Sequence, residues 1–365
     1  MPVFIHDIAT SVPDTFSKQD YIREQMKKYV GRDRRSEAII HRIYSQSGID
    51  KRHTVVDDFQ PNKTGSLFFN GQVEPKQPST ATRNRIYEEH SKQLFVQVGQ
   101  NLLDQNPHIS KEDITHVITA SCTGFFAPGP DYEIVKQLGL KPTTQRFHIG
   151  FMGCYAAFPA LKMAEAFCKV DPEAVILVVC TELCTLHFQA KSDVDNLLSA
   201  SVFGDGAAGA LVSQRKSPKP SFEIIDFASS LTDTGEKDMA WIIGDTGFDM
   251  VLSTYVPDII KANLCGVISP LLDQYNIAVG DIDYWALHPG GRSIIDKIES
   301  SLNLNESQVS ASREVLSEYG NMSSATVLFV LKNLLNRDLP DNSRIMPMAF
   351  GPGLTIESGL LRVSG

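Results

Sequence analysis

The amino-acid sequence predicts an α/β fold built from two similar halves. Two observations support this prediction. Apolar strand-like runs and amphipathic helices alternate along the chain, and three short motifs of the first half recur in the second half in the same order. With 365 residues, of which 42% are hydrophobic, the chain is long enough for two fused halves with a core each.

The first half, residues 1–215, is predicted from periodicity and from glycine and proline positions. Residues 57–79 lose the apolar periodicity and contain Pro61, Gly65, Gly71, Pro75 and Pro78, so we expect a surface excursion there. The other predicted elements are a strand at 3–10, helices at 17–30, 35–48 and 79–105, strands at 116–124, 174–180 and 203–212, and a linker at 213–221.

The second half, residues 216–365, repeats three motifs of the first. Equivalent loops of a duplicated α/β unit converge where the halves meet, which is a common place for a binding site. The pairs are Gly150-Phe151-Met152-Gly153-Cys154 with Gly320-Asn321-Met322-Ser323-Ser324, Phe203-Gly204-Asp205-Gly206 with Phe350-Gly351-Pro352-Gly353, and the strand-to-glycine turn at 117–124 with that at 284–291.

Cys154 lies at the start of an apolar helical run, which we expect to be buried nearly all round. In the first turn of that helix, unpaired N–H groups and the positive end of the dipole would favour the reactive thiolate. A lone cysteine in an apolar run is more often a small core residue. His288 and Asn321 occupy loops related by the duplication, and a cysteine, a histidine and an asparagine together can perform nucleophilic chemistry. Singly, they could be a core histidine and a helix N-cap.

Several motifs resemble those of the type III polyketide synthases, the chalcone synthase family, nearly from end to end. This resemblance implies a duplicated thiolase-like fold with five αβαβα layers, a homodimer, no metal, no organic cofactor, and acyl-CoA and malonyl-CoA as substrates. The motifs are Gly-Phe-Met-Gly-Cys at 150–154, Leu-His-Pro-Gly-Gly at 287–291, Gly-Asn-Met-Ser-Ser-Ala at 320–325, Phe-Gly-Pro-Gly at 350–353, and the runs at 82–87 and 128–132.

The resemblance also implies roles for single residues. Cys154 would carry the starter acyl group, held as a thiolate by His288, while His288 and Asn321 would stabilise the enolate formed from malonyl-CoA. Phe203 and Phe248 match two gatekeeping phenylalanines, and Gly351 and Gly353 would let the backbone approach the reacting atoms. The expected products are pyrone or resorcinol- and phloroglucinol-type rings.

The cavity departs from the plant pattern. Cys122 and His187 stand where the plant enzymes have threonines, while Glu182 and Ser323 are retained in the chain that influences cyclisation. His187 would narrow the pocket and Ala127, on the loop expected to cross the dimer, would widen it. We therefore expect an aliphatic starter in preference to an aromatic one.

The basic residues expected at the coenzyme A phosphates are only partly retained. Arg42 matches one of them, but the positions of two lysines hold Ile39 and Gln46. We expect compensation from Arg292, Lys51 or Arg52.

Composition excludes other classes. The net charge of −9 and the absence of a long basic run argue against binding to nucleic acid or to an anionic membrane surface. Six cysteines in a long chain indicate reduced thiols, and no run approaches the ~20 apolar residues of a membrane span. The N-terminus indicates a strand instead of a signal peptide, so we expect a cytoplasmic protein without membrane contact.

Three alternatives stay open at this point. A condensing enzyme like 3-ketoacyl-carrier-protein synthase III is the nearest. A cysteine hydrolase could use the same three residue types, although the duplication would have no role in it. A catalytically silent thiolase-fold subunit would not need Cys154, His288 and Asn321 together.

Overall fold

A computed structural model describes residues 1–60, 67–69 and 75–365. The strands are β1 Val3–Ser11, β2 Phe16–Lys18, β3 Lys51–His53, β4 His116–Ser121, β5 Gln145–Gly150, β6 Val175–Leu183, β7 Asp205–Ser213, β8 Ser221–Leu231, β9 Met239–Gly244, β10 Gly247–Leu252, β11 Tyr284–Leu287, β12 Arg344–Gly351 and β13 Thr355–Ser364. The α-helices are α1 Gln19–Tyr29, α2 Arg34–Ser45, α3 Thr80–Gln105, α4 Pro130–Leu138, α5 Ala157–Val170, α6 Val194–Val202, α7 Val256–Gln274, α8 Arg292–Leu302, α9 Glu306–Tyr319 and α10 Thr326–Leu335.

One nine-stranded sheet runs through both halves, in the order β11-β12-β13-β8-β1-β7-β6-β4-β5. Strands of the first half occupy one side and strands of the second half the other. Strand β1 joins them, because Phe4 pairs with Ser213 of β7 and also with Glu223 of β8. Strands β9 and β10 form a separate hairpin.

Two buried helices, α5 and α10, lie between the halves. Helix α5 packs on β1, β4, β6 and β7, and α10 packs on β1, β7, β11 and β12. Their side chains share one core cluster with residues from the strands of both halves. Helices α3 and α4 pack on the first-half strands, and α7 and α9 pack on second-half strands. These five layers are the thiolase fold, as the resemblance implied.

The strands and helices predicted in the first half are present within a few residues of the expected bounds. Two related expectations are wrong. The segment 57–79 was expected to be a surface excursion, but Phe68 and Phe69 are buried against Phe188. Pro61, Gly65 and Gly71 lie outside the described residues. Helix α5 is not buried all round, because Ala166 and Val170 near its C-terminal end are exposed.

Strand β6 is buried along its whole length, as its apolar run predicted. It is parallel to β4 and antiparallel to β7, so it joins two kinds of pairing. Within the described part of the chain, we find no helix that is both long and apolar enough to cross a membrane.

Candidate active site

Cys154 lies in the turn that leads into α5, where the two halves meet. The helix begins at Ala157, so Cys154 precedes it instead of lying in its first turn as the sequence predicted. Gly153 has a φ of +83°, and a Cβ there would lie 2.4 Å from Cδ of Pro352 in the second half. Only glycine allows this approach. It brings the loop at 350–353 against the segment that carries the thiol.

The side chain of Asn321 lies beside the Cys154 thiol and is held in place by hydrogen bonds. Its backbone forms hydrogen bonds of 2.8 and 2.9 Å with residues 202–204, and its Oδ1 accepts from the N–H of Ser323 at 2.8 Å. Its Nδ2 donates to the carbonyl oxygen of Gly290 at 3.4 Å. The Sγ of Cys154 lies 3.9 Å from Oδ1 and 4.0 Å from Nδ2. The amide is therefore fixed within reach of the sulfur.

His288 follows β11 and is buried. Its N–H donates to the carbonyl oxygen of Met348 at 2.8 Å, which continues the pairing with β12. Neither ring nitrogen has a hydrogen-bond partner among the described residues. A Cβ on Gly290 would lie 3.6 Å from Cδ2 and 3.7 Å from Nε2 of this ring, so the imidazole stands over the glycine that Asn321 contacts. Two unused ring nitrogens in a buried site can serve a reacting group.

The surroundings of Cys154 and His288 favour their neutral forms. Burial raises the pKa of the Cys154 thiol to about 11, although hydrogen bonds from Ser323 and Asn321 act in the opposite direction. Burial lowers the pKa of His288 to about 3. The thiolate expected from the helix dipole is thus opposed by desolvation, and the ion pair with His288 stays a prediction.

A small apolar chamber, here called the catalytic chamber, adjoins Cys154. Besides Cys154, three of the expected site residues line it, namely Cys122, Phe203 and Ser323. The sequence reasoning missed other members of the wall, for which the alternation of large side chains along β9 was an available signal. The full lining is Cys122, Thr123, Gly153, Cys154, Cys184, Phe203, Met239, Trp241, Met250, Ser323 and Pro352.

Comparison with known proteins decides what this arrangement belongs to. The sequence model for the N-terminal domain of chalcone and stilbene synthases matches residues 2–215. The model for the C-terminal domain of the same enzymes matches residues 225–364. This chain belongs to the chalcone and stilbene synthase family. It is a type III polyketide synthase, and therefore an acyltransferase.

Similar proteins agree with this assignment. The "alpha-pyrone synthesis polyketide synthase-like Pks18" of Mycobacterium tuberculosis is 33% identical over 331 residues, which cover 89% of this chain and 82% of that protein. The crystal structure of PKS-I from the brown alga Ectocarpus siliculosus superposes with a TM-score of 0.91 at 30% identity, over 99% of this chain and 98% of that one. The 1,3,6,8-tetrahydroxynaphthalene synthase of Streptomyces coelicolor gives 0.89 at 28% identity, over 100% and 99%.

Glu182 of this polyketide synthase forms a network that differs from the expected one. The carboxylate accepts from the N–H of Cys122 and from the hydroxyl of Thr123, both at 2.9 Å, and from the hydroxyl of Ser324. The family resemblance implied a hydrogen-bonded chain through the side chains of Cys122 and Ser323 instead. The Cys122 thiol is directed elsewhere, because it accepts a hydrogen bond from the N–H of Gly153 at 3.0 Å. The hydroxyl that bonds to Glu182 comes instead from the next residue, Thr123. Burial raises the pKa of Glu182 to about 7.

His187 forms two hydrogen bonds, and neither of them is to Glu182. Its Nε2 donates to the carbonyl oxygen of Thr123 at 2.7 Å, while its Nδ1 accepts from the N–H of Phe248 at 3.0 Å. These two bonds require a neutral ring with the proton on Nε2, and burial lowers the pKa of His187 to about 4. The ring also stacks on Phe248 with centroids 4.0 Å apart and meets Trp241 edge-on. His187 thus fixes the β9–β10 hairpin against the loop after β4.

A second cavity, here called the inner chamber, lies beside the catalytic chamber. The two share Cys184, Phe203, Trp241 and Met250 as common wall residues. The remaining wall of the inner chamber is partly apolar and includes His187. It consists of Ser17, Ile22, Arg52, Thr54, Phe59, Thr185, His187, Phe188, Gln189, Asn196, Ser199 and Ala200.

A surface groove brings together both residues expected to bind coenzyme A. Arg42 and Arg292 line it, and Lys297 also contributes, which the sequence did not suggest. The groove reaches Gly290 and Gly291, directly after His288. Two of these cations also form ion pairs with neighbouring carboxylates. Arg292 lies 3.4 Å from Asp296, and Lys297 pairs with an aspartate at 2.6 Å.

The other two residues expected to compensate for the missing lysines lie outside this groove. Arg52 is buried, and its guanidinium donates to the carbonyl oxygen of Phe203 and to the side chain of Gln19. Lys51 pairs with Glu318 at 2.8 Å. The expectation that Arg52 meets a phosphate is therefore wrong, since its charge is used inside the protein.

The remaining expected cavity residues do not line the catalytic chamber of a single chain. Phe248 packs behind it on His187, and Ala127 lies on the exposed surface. Gly351 and Gly353 belong to the loop on either side of Pro352, and a Cβ on Gly351 would lie 2.3 Å from the ring of Tyr155. The two glycines let the loop approach the catalytic chamber, but of these three residues only Pro352 lines the chamber.

Proposed function

We propose that this polyketide synthase loads a starter acyl group on Cys154 and extends it by decarboxylative condensation with malonyl-CoA. The single observation that carries the proposal is the placement of a fixed amide at the sulfur of Cys154. A buried imidazole, whose two ring nitrogens have no hydrogen-bond partner in the described part of the chain, stands over the glycine contacted by that amide. Donors held in a dry site can stabilise a developing oxyanion strongly, because they need no reorganisation during the reaction.

Loading is a transfer between two sulfur atoms. The Cys154 sulfur forms a bond to the acyl carbon of the starter thioester, and the bond from that carbon to the coenzyme A sulfur breaks. His288 takes the thiol proton and returns it to the departing thiolate. A neutral thiol and a neutral imidazole are a suitable starting state, because the charge pair then forms only while the substrate is bound.

Extension begins when the carboxylate of malonyl-CoA leaves as carbon dioxide. The electron pair of the broken carbon–carbon bond becomes an enolate, whose oxygen accepts hydrogen bonds from Asn321 Nδ2 and His288. The enolate carbon then attacks the acyl group on Cys154 and releases the cysteine sulfur as a thiolate. The chain is two carbons longer after each cycle.

The surface groove at Arg42, Arg292 and Lys297 supports a position for coenzyme A. Phosphate groups at these cations would direct the pantetheine arm along Gly290 and Gly291 towards His288. No metal or organic cofactor takes part in this scheme.

We further propose an aliphatic starter and a pyrone or resorcinol-type product. The inner chamber supports the first part, since its apolar wall residues Ile22, Phe59 and Phe188 offer room for a chain beyond the catalytic chamber. The proposal takes Trp241 and Met250, which line both chambers, as the point at which a flexible chain would bend and a rigid aromatic group would not pass. Thr123, with its hydroxyl on Glu182, leaves aldol-type ring closure available as well as lactone formation.

A homodimer is part of the proposal. Among the described residues, strand β5 is at the edge of the nine-stranded sheet and pairs on one side only, so a second copy could pair with its other side. The exposed Phe125 and Ala127 lie in the loop after the adjacent strand β4. Light scattering that gives the mass of one chain would contradict the dimer.

Mass spectrometry of the intact protein tests the central step. Incubation with a panel of acyl-CoAs should add one acyl group to the wild type and none to Cys154→Ala. Labelled malonyl-CoA should then yield polyketides only from the wild type. Cys265→Ala is the matched control, because Cys265 is an exposed thiol on α7. Acylation of Cys154→Ala at Cys122 or Cys184 would overturn the assignment.

Starter choice is tested at His187. The proposal expects higher kcat/KM for fatty acyl-CoAs than for coumaroyl-CoA, and a shift of that ratio towards coumaroyl-CoA in His187→Thr. A smaller side chain would free the hairpin that carries Trp241. Preference of the wild type for coumaroyl-CoA, or an unchanged ratio in the variant, would remove the aliphatic part and leave the condensation intact.

A further inference from the structure

Exposed arginines are concentrated at helix α2. Arg32, Arg34, Arg35 and Arg42 are all exposed, and none of them forms an ion pair in the described part of the chain. The whole protein carries a net charge of −9, so this unpaired positive charge is a local feature. Exposed charge of one sign at one place attracts a partner of the opposite sign.

The charge does not serve the helix that carries it. Arg34 and Arg35 occupy the first turn of α2, where the positive end of the helix dipole disfavours cations. The nearby carboxylates are directed elsewhere, because Asp33 accepts from the N–H of Ser36 at 2.7 Å and Glu37 lies next to Gly31. The arginines therefore remain available to an external anion.

The arginines of α2 share one side of the helix with apolar residues. Steps of three and four residues place side chains on the same side of an α-helix. This side is partly apolar, because Ala38 is exposed and Ile39 is half-buried. A polar rim around an apolar centre is the usual make-up of a protein–protein interface. We call this surface the α2 face, and it consists of Arg34, Arg35, Ala38, Ile39, Arg42 and Gln46.

The α2 face continues outward from the groove that is proposed to hold coenzyme A. Arg42 and Gln46 line that groove, whereas Arg34 and Arg35 do not. Seven residues of an α-helix span about 10.5 Å, so Arg35 stands about two turns away from Arg42 along the helix axis. The face is therefore the surface beside the groove, outside the reach of its lining.

The groove suits a thioester with fewer phosphates than coenzyme A. Two positions at which the family has lysines hold Ile39 and Gln46 here. Arg292 and Lys297 each pair with an aspartate, so Arg42 is the one cation of the described groove lining without a carboxylate partner. Coenzyme A carries a diphosphate and a 3′-phosphate, whereas a phosphopantetheine arm on a protein serine carries one phosphodiester. A single free arginine matches the arm better.

We propose that the α2 face docks an acidic acyl carrier protein, which delivers the starter on its phosphopantetheine arm. Acidic side chains of the carrier pair with Arg34 and Arg35, and the body of the carrier covers Ala38. The phosphodiester of the arm meets Arg42 at the edge of the groove. Complementary charge of this kind fixes the orientation of a partner and speeds its association.

The transfer itself is a thioester exchange. The sulfur of Cys154 forms a bond to the acyl carbon, and the bond from that carbon to the pantetheine sulfur breaks. The thiol proton passes through His288 to the departing sulfur, so the carrier leaves with a free thiol. This inference rests on the proposed function, because it takes Cys154 as the acceptor.

The test compares two donors of one acyl group. Mass spectrometry of the intact enzyme gives the rate constant for acylation of Cys154 by dodecanoyl-CoA and by a dodecanoyl-loaded carrier protein of bacterial fatty-acid synthesis. The wild type should react faster with the carrier. The double variant Arg34→Ala/Arg35→Ala should lose roughly 2- to 30-fold with the carrier, the range for two exposed ion pairs. Its rate with dodecanoyl-CoA should not change, because neither arginine lines the groove.

Salt and stability provide independent readouts. The difference between the wild type and the double variant should shrink in 0.5 M sodium chloride, because salt screens exposed charge pairs. The double variant should not have a lower melting temperature, since it removes two cations from the first turn of a helix and introduces a better helix former.

Lys216→Ala/Arg344→Ala is the matched control. It removes the same charge from two exposed positions, one after the C-terminal end of β7 and one at the start of β12, and should change neither rate constant. An unchanged carrier rate in Arg34→Ala/Arg35→Ala, or equal losses with both donors, would overturn the docking surface and leave the proposed function intact. So would a wild type that prefers dodecanoyl-CoA.

Two further outcomes are distinguishable. Binding of the wild type to phosphatidylserine vesicles that is lost in the double variant would assign the arginines to a membrane surface and overturn the carrier. If neither donor acylates Cys154, the proposed function itself fails.

Discussion

Phe203 and Asn321 form a parallel β-bridge that connects the first half of the chain to the second. Phe203 lines both chambers, and the side chain of Asn321 lies at the sulfur of Cys154. The buried guanidinium of Arg52 donates to the carbonyl oxygen of Phe203 and so braces the bridge. The phenylalanine that lines both chambers and the amide beside Cys154 therefore belong to one connected unit of backbone.

Asn321→Ala should mainly reduce decarboxylation of malonyl-CoA. The variant loses one donor to the enolate oxygen, and removal of one such donor typically costs about 100- to 1000-fold in kcat. Starter loading should fall much less. The measurement is release of labelled carbon dioxide alongside intact-protein mass. Asn336→Ala, on the exposed C-terminal end of α10, is the control. Equal losses in both steps would contradict this division of roles.

His288→Ala should reduce decarboxylation and also the reactivity of the Cys154 thiol. With the imidazole present to take the proton, the pH midpoint of iodoacetamide inactivation should lie below the pKa of about 11 that burial gives the thiol. In the variant, the midpoint should move up towards that value, because the thiol must ionise without a proton acceptor. His90→Ala in α3 is the control. Superimposable profiles of variant and wild type would remove the ion pair from the mechanism.

Gly153→Ala should destabilise the protein and the site together. Its positive φ alone costs an alanine about 1–2 kcal/mol, and the new Cβ would clash with Pro352 at 2.4 Å. Gly266→Ala is the matched control, because Gly266 lies in α7 with open space around it and should gain about 0.5–1 kcal/mol. Denaturant unfolding of both variants measures the difference. A Gly153→Ala protein as stable as the wild type would contradict the close approach.

Glu182 should make stability depend on pH near neutrality. Burial raises its folded-state pKa from 4.5 to about 7, so the folded protein binds a proton that the unfolded chain has released. Its contribution is therefore fully present below pH 4.5 and declines as pH rises through about 7. Glu182→Gln keeps an uncharged group of the same size and should flatten this decline. Melting temperatures from pH 5 to 8 test it, and parallel curves would assign the dependence to other groups.

The sequence was most informative where local pattern and duplication agree. The glycine motif before Cys154, the strand before His288 and the helix after Asn321 are local features, so periodicity located them. Their convergence followed from the repeat of three motifs. Thr123 and Cys184 were not predicted, because a cavity wall is assembled from side chains that lie far apart in the chain and follow no period.

The sequence by itself determined the α/β alternation, the duplicated halves and the three residues at their junction, because each depends on composition and spacing along the chain. Only the tertiary structure decided the partners. It placed Ser324 instead of Ser323 on Glu182, and it buried the Arg52 guanidinium at the carbonyl oxygen of Phe203. Hydrogen-bond pairing and desolvation depend on distances in three dimensions, which the order of residues does not contain.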